Sequence, residues 1–290
     1  MTAERGSEGV RSRTETPTSG TGLWNRQVGA FVRRYLREVV RDRTVLFWSL
    51  GFPTVFYLLT ITTFIQMSQI PDELHAAVKA TTALSYGVFG SVVVCLNAFG
   101  QQLVTDIEDE RYTEFRSLPL SPSADFVGRL VAGLLFAFVA FLFVVAVSVA
   151  TGAGYVLRGP ESILVVALAF VLMAVVWMVI ALLIVLTVGN ARYANIISLS
   201  VALASYFGTG FNGTDVTSFA GSDWLLNALP NTLATRLMTY HLADIQEWEP
   251  AGLAPPDPPS SLAYLGLLAV YGVVFLGIGT VLTKKILYKE

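Results

Sequence analysis

Six stretches of this 290-residue chain contain no charged residue: 44–71, 80–105, 130–157, 162–191, 193–214 and 258–283. Each reaches the roughly 20 apolar residues that a helix needs to cross a hydrocarbon layer about 30 Å thick. Within lipid, every backbone N–H and C=O must be paired inside the segment, and a helix does this locally. The pattern therefore predicts an all-α integral membrane protein with six transmembrane helices, at about 45–66, 81–104, 130–152, 163–188, 193–212 and 262–283. Gly51 and Pro53 predict a kink in the first of them, because bundle neighbours can re-satisfy the freed backbone. A water-soluble fold is excluded by the charged fraction: 14% of residues are charged, against about 25% in soluble domains.

The segments between these stretches orient the chain. With a cytoplasmic amino terminus, sixteen lysines and arginines fall on the inner side and only Lys79, Arg158 and Arg236 on the outer. That bias predicts both termini in the cytoplasm. Residues 1–22 are rich in Ser, Thr, Gly and Glu and bury too little apolar surface to order, which predicts a disordered cytoplasmic tail before one transmembrane domain over 23–290. In 24–43, Trp24, Val28, Phe31, Tyr35 and Val39 recur at helical spacing with arginines between them. This predicts an amphipathic helix lying in the interface, with Trp24, Phe31, Arg33, Arg34, Tyr35, Arg37 and Arg41 against membrane lipid. The outer segment 215–257 predicts a short helix opening at Pro230 that dips into or lies on the outer leaflet, then an extended proline-rich connector over Glu249–Pro259.

Several function classes are disfavoured, with an ion-gradient-driven secondary transporter, and behind it an integral membrane enzyme, standing as the alternatives to an ATP-driven process. Cys95 is the single cysteine, and His75 and His241 lie far apart, so no metal site is expected. The basic cluster abuts a membrane span, which disfavours nucleic acid as a partner. No G-x-x-x-x-G-K-[ST] phosphate loop occurs, so an ATP-driven process would take its energy from another chain. An ion-gradient-driven secondary transporter would place ionisable groups inside the spans, and none of the six stretches holds one. A membrane enzyme would need a cluster of acids, bases or nucleophiles. The polar residues in or beside the spans are Asn97, Gln101, Gln102, Asn190 and Asn195, types that more often bridge helices.

The segment TDIEDERYTEFRSLPLSPSADFVGRL, residues 105–130, is the most charged outside the amino terminus. Ile107, Phe115 and Leu118 can share one side of a short helix, with Asp106 and Glu108 in its first turn and Pro119 and Pro122 at its end. The run resembles the coupling-helix segment of ABC-2 type permeases through Glu110-Arg111, Thr113-Glu114, Leu118-Pro119, Ser121-Pro122 and Gly128-Arg129, with Tyr112 where that family usually has glycine. The resemblance extends over nearly everything after residue 22. It implies the permease subunit of an ATP-driven exporter in the cell membrane of a prokaryote. Such a subunit is not catalytic by itself: it works with a second permease subunit and a separate ABC ATPase that binds ATP and magnesium. Glu110, Arg111, Thr113, Glu114, Arg116 and Pro119 are the expected ATPase-coupling residues.

Overall fold

The computed structural model describes residues 20–243 and 261–289. The tail before residue 20 and the connector over Glu249–Pro259 lie outside them. Among the described residues the chain is helical, without strands. Helix α1 spans Gly20–Arg41, beginning four residues earlier than the apolar spacing predicted. Asp42 ends it and caps the next helix, accepting hydrogen bonds from the Thr44 and Val45 backbone N–H groups at 2.9 and 3.1 Å.

Helices α2 (Arg43–Phe64), α3 (Asp72–Glu108), α5 (Pro122–Ala150), α6 (Ser162–Val188) and α9 (Ser261–Leu287) are long and apolar enough to cross a membrane. The short α4 (Arg111–Ser117) joins α3 to α5. Helix α3 is the centre of the bundle, 94% buried over its most apolar window, whereas α2 and α9 are 28% and 17% buried. The last two therefore turn most of their surface outward, Val270, Val273 and Phe64 being well exposed. That is affordable only in an apolar solvent.

The expected kink near Pro53 takes the form of a π-helical turn, Phe47–Gly51, directly before it. The wider turn accommodates a proline that cannot donate a backbone hydrogen bond. A second π turn, Val94–Ala98, interrupts α3 at Asn97.

Five of the described helices are long and apolar enough to cross a membrane, where six were expected. The fifth charge-free stretch forms α7, Ala191–Phe207, of only 17 residues. Polar residues Asn195, Ser198, Ser200 and Ser205 dilute it, and the backbone then changes hand. Gly210, Phe211, Asn212 and Gly213 all have positive φ, a left-handed turn that costs a bulky residue such as Phe211 about 1–2 kcal/mol. Cross-links hold it in place: Ser85 Oγ donates to the Phe211 carbonyl at 2.6 Å, and the Asn212 amide donates to the Ser85 carbonyl at 3.1 Å. Asn231 Nδ2 donates to Asn212 Oδ1 at 2.8 Å. Asn212 is thus buried, so the Asn-Gly-Thr run there is closed to glycosylation.

The chain then enters α8, Pro230–Leu242, with proline at its first turn as predicted. This helix does not lie on the surface. Thr232, Leu233, Ala234, Thr235, Leu237 and Met238 are all fully enclosed, packed on α6 and α3. His241 closes it, bonded to Ser162 at 2.9 Å and Ser261 at 2.7 Å, the first residues of α6 and α9. One end of the bundle therefore carries α8, and the other carries α1, α4 and the carboxyl-terminal turn.

Candidate functional site

At the α1 end the apolar stripe predicted to face headgroups instead packs on protein. Phe31 and Tyr35 are buried, and Phe31 meets Phe115 of α4 edge-on at 5.8 Å. The reason is a close approach at Gly128 of α5, where an added Cβ would lie 2.5 Å from the Phe31 Cβ and 3.2 Å from the Val28 carbonyl. Only glycine lets the two backbones come that near. Polar contacts extend the seam. Trp24 Nε1 donates to Ser123 Oγ at 3.0 Å, and Gln27 both donates to the Pro119 carbonyl at 2.9 Å and accepts from the Ser121 N–H at 3.0 Å. Of the residues assigned to lipid, Arg33, Arg37 and Arg41 remain on the open face.

Arg34 turns inward, to a cluster of charges that spacing did not reveal. Arg129 Nη2 donates to Asp106 Oδ2 at 2.7 Å, Tyr35 Oη at 2.6 Å and Tyr112 Oη at 3.2 Å. Asp106 also takes Arg111 Nη1 at 2.9 Å and the Arg34 guanidinium. Arg111 reaches Glu38 at 3.4 Å and Asp109 at 3.1 Å. Asp125 accepts from three phenols: Tyr35 at 2.5 Å, Tyr112 at 3.3 Å and Tyr288 at 3.3 Å. Burial holds the Tyr35 and Tyr112 hydroxyls well above the usual phenol range, against the pull of Arg129. They stay neutral, so Tyr35 can donate to Asp125 while accepting from Arg129. The Arg129 guanidinium also sits 4.1 Å over the Tyr35 ring.

Asp106, Asp125 and Arg129 are almost wholly buried. Such a set is tolerable because the charges are matched and hydrogen-bonded, and removing one member of a buried pair costs about 3–5 kcal/mol. The cluster joins α1, the end of α3, α4, the start of α5 and the turn after α9. It also explains two boundary differences. Asp106 and Glu108 belong to the last turns of α3, not to the first turn of α4. Helix α5 begins at Pro122, two turns before the charge-free stretch, because Asp125 and Arg129 are inside the cluster and not in water. Glu108 serves elsewhere, accepting from the Ala191 N–H at 2.9 Å and so binding the end of α3 to the start of α7.

What remains open on α4 is its other face. Glu110, Thr113, Glu114, Arg116 and Pro119 are exposed, while Arg111 is only partly so and is bound within the cluster. Glu110 has positive φ (56°), the sharp turn that redirects the chain from α3 into α4. The result is a seven-residue helix with its inner side held by the Arg111 ion pairs and the Tyr112 hydroxyl and with carboxylates and a guanidinium on its outer side.

Residues 26–240 match the ABC-2 type transporter family. The chain belongs to that family. It is a multi-pass membrane protein of the ABC transporter class, a permease subunit. Among curated proteins no relative matches it. Within this permease, the Gly128-Arg129 pair of the family-like motif has two separate duties: the glycine admits α1, and the arginine organises the carboxylates. Tyr112, in the usual glycine place, fills the cluster and meets Tyr288 edge-on at 5.5 Å.

The polar span residues divide by role. Gln102 Nε2 donates to the Tyr35 carbonyl at 2.8 Å, and Asn190 caps α7 through the Arg192 and Tyr193 N–H groups at 3.1 and 3.2 Å. Asn97, Gln101, Asn195 and Ser198 instead line a narrow cleft between α3 and α7. There the Asn97 carbonyl is buried without a hydrogen-bond partner among the described residues. No group of three or more candidate metal ligands occurs among those residues.

Proposed function

We propose that this permease is the membrane subunit of an ATP-driven exporter, coupled through the open face of α4 to a separate ABC ATPase that binds ATP and magnesium. The observation that carries the reading is the two-sidedness of α4. A helix of seven residues is unstable alone, yet here its inner side is joined to α1 and α3 by the ion pairs of Arg111 with Glu38 and Asp106, and to α5 by the buried Tyr112 hydroxyl. A push on its exposed Glu110, Glu114 and Arg116 is therefore delivered to the bundle and not absorbed locally. Charge-assisted hydrogen bonds from those side chains suit an ATPase surface.

Six crossings, with both termini in the cytoplasm of a prokaryotic cell, fit the arrangement of the ends. Tyr35 before the first span and Tyr288 after the last both bond to Asp125, so the chain returns to the side from which it started. Helix α7 starts beside Glu108 at that side and climbs to the level of Ser85, and it supplies the sixth passage together with the left-handed turn. Arg33, Arg37 and Arg41 on the open face of α1 then meet anionic lipid headgroups.

The test is co-purification. The triple variant Glu110→Lys, Glu114→Lys, Arg116→Glu should insert normally, and a co-expressed ATPase should no longer purify with it. The permease alone should hydrolyse no ATP. Full retention of the ATPase by the triple variant would refute the docking role of α4.

A further inference from the structure

Beside the ion cluster, the last turn of α9 closes over a cavity of about 10 Å³ whose wall includes Phe99, Leu182, Asp125, Arg129 and Thr283. Two of these residues carry a buried polar atom with no hydrogen-bond partner among the described residues: Arg129 Nη1 and Thr283 Oγ1. The other terminal nitrogen, Arg129 Nη2, is taken up by Asp106, Tyr35 and Tyr112. A space of this size holds about one water molecule, and such a site is occupied when polar partners face it. The neighbouring charges choose among occupants. Arg129 repels a cation, Asp125 repels an anion, and a neutral molecule that accepts from a guanidinium and exchanges a bond with a hydroxyl satisfies both orphan atoms.

We propose that one enclosed water bridges Arg129 Nη1 and Thr283 Oγ1, and that this bridge makes the last span move with the coupling helix α4. Arg129 and Thr283 are positioning residues: they touch no cargo and act through α4 and α9. The bridge supplements the direct bond from Tyr288 to Asp125 at 3.3 Å, so the last turn of α9 and the residue after it each have an attachment to the cluster. The last turn of α9 is π-helical, Thr283–Leu287, with Thr283 and Leu287 buried, so the backbone is re-aimed at the place where the attachments form. The mechanical role rests on the permease reading, whereas the bridge itself does not.

Spin labels at Ser117→Cys on α4 and Ile286→Cys on α9, both exposed positions, read the connection, since Cys95 is fully buried. In the isolated permease in nanodiscs the parent protein should give one narrow distance distribution. Thr283→Val, which keeps the shape and deletes the hydroxyl, should broaden it, and Thr283→Ser should restore it. In the complex with its ATPase, vanadate trapping should leave the parent distance unchanged. In Thr283→Val it should shift the distance by up to about 5 Å, the scale of a one-turn slip. Should Thr283→Val fail to insert, Tyr288→Phe removes the other attachment and should loosen the same distance. A narrow, unshifted distance in both variants, or a parent distance that itself changes on trapping, overturns the proposal. Failure of any ATPase to co-purify would overturn the permease reading instead, leaving the comparison in the isolated chain to decide the bridge.

Discussion

Replacing Gly128 with alanine should pry α1 away from the bundle. The added Cβ would sit 2.5 Å from the Phe31 Cβ, whereas carbon atoms in good contact are about 3.5–4.0 Å apart. The obstacle is a Cβ and, at 3.2 Å, the Val28 carbonyl, so no flexible side-chain end can swing clear and the helices must separate by an ångström or more. Overpacking of this kind costs about 1–3 kcal/mol, which is about 5–150-fold in the docking equilibrium of α1. Hydrogen exchange followed by mass spectrometry measures that equilibrium. Amides of Gly20–Arg41 should exchange faster in Gly128→Ala by that factor, while α6 is unchanged. Gly29→Ala is the matched control on the same helix. Nothing lies within 4 Å of its new Cβ, and alanine gains about 1 kcal/mol of helix propensity over glycine, so exchange should slow. Equal protection of α1 in the parent and in Gly128→Ala would refute backbone contact as what seats this helix.

Two further outcomes follow from the same geometry. Asp106→Ala removes the shared acceptor of Arg34, Arg111 and Arg129 and should destabilise the permease by about 3–5 kcal/mol. It should read as a lower melting temperature in detergent, and an unchanged midpoint would show that the arginines find other partners. Partial burial pushes the Asp215 carboxyl up, but hydrogen bonds from Ser218 and Thr217 outweigh it and hold the group below the usual carboxylate range. A depressed value means stability that is complete above the ordinary carboxylate range and lost as pH falls through the folded value. The turn at Val216–Ser218 should therefore loosen in acid. Hydrogen exchange across that range should detect this, and Asp215→Asn should abolish the pH dependence. A turn equally protected at all pH values would refute it.

Membrane residence, the helical class, and the approximate position of the five helices long and apolar enough to cross were legible in the sequence. Lipid imposes one requirement, an unbroken run of apolar residues long enough to span it, and composition alone answers that requirement. The family-like run from Glu110 to Arg129 was likewise visible as residue order. The cluster was not. Asp106, Arg111, Tyr112, Asp125 and Arg129 fall within the charged segment 105–130, but Arg34, Tyr35 and Tyr288 come from near opposite ends of the chain, and each in isolation reads as a solvated charge or an interfacial aromatic. Tyr35 looked like a lipid-facing ring because a helical stripe has the same spacing whether it meets headgroups or another helix.

The tertiary structure alone decided three matters, each for a reason that periodicity cannot carry. It set α1 on protein, because Gly128 admits a backbone and no local signal names the partner of a glycine. It began α5 at Pro122, because buried matched charges are tolerated where single charges are not. It shortened the fifth charge-free stretch and reversed the backbone at Phe211 and Asn212, because cross-links from Ser85 and Asn231 hold a conformation that those residues would not adopt alone.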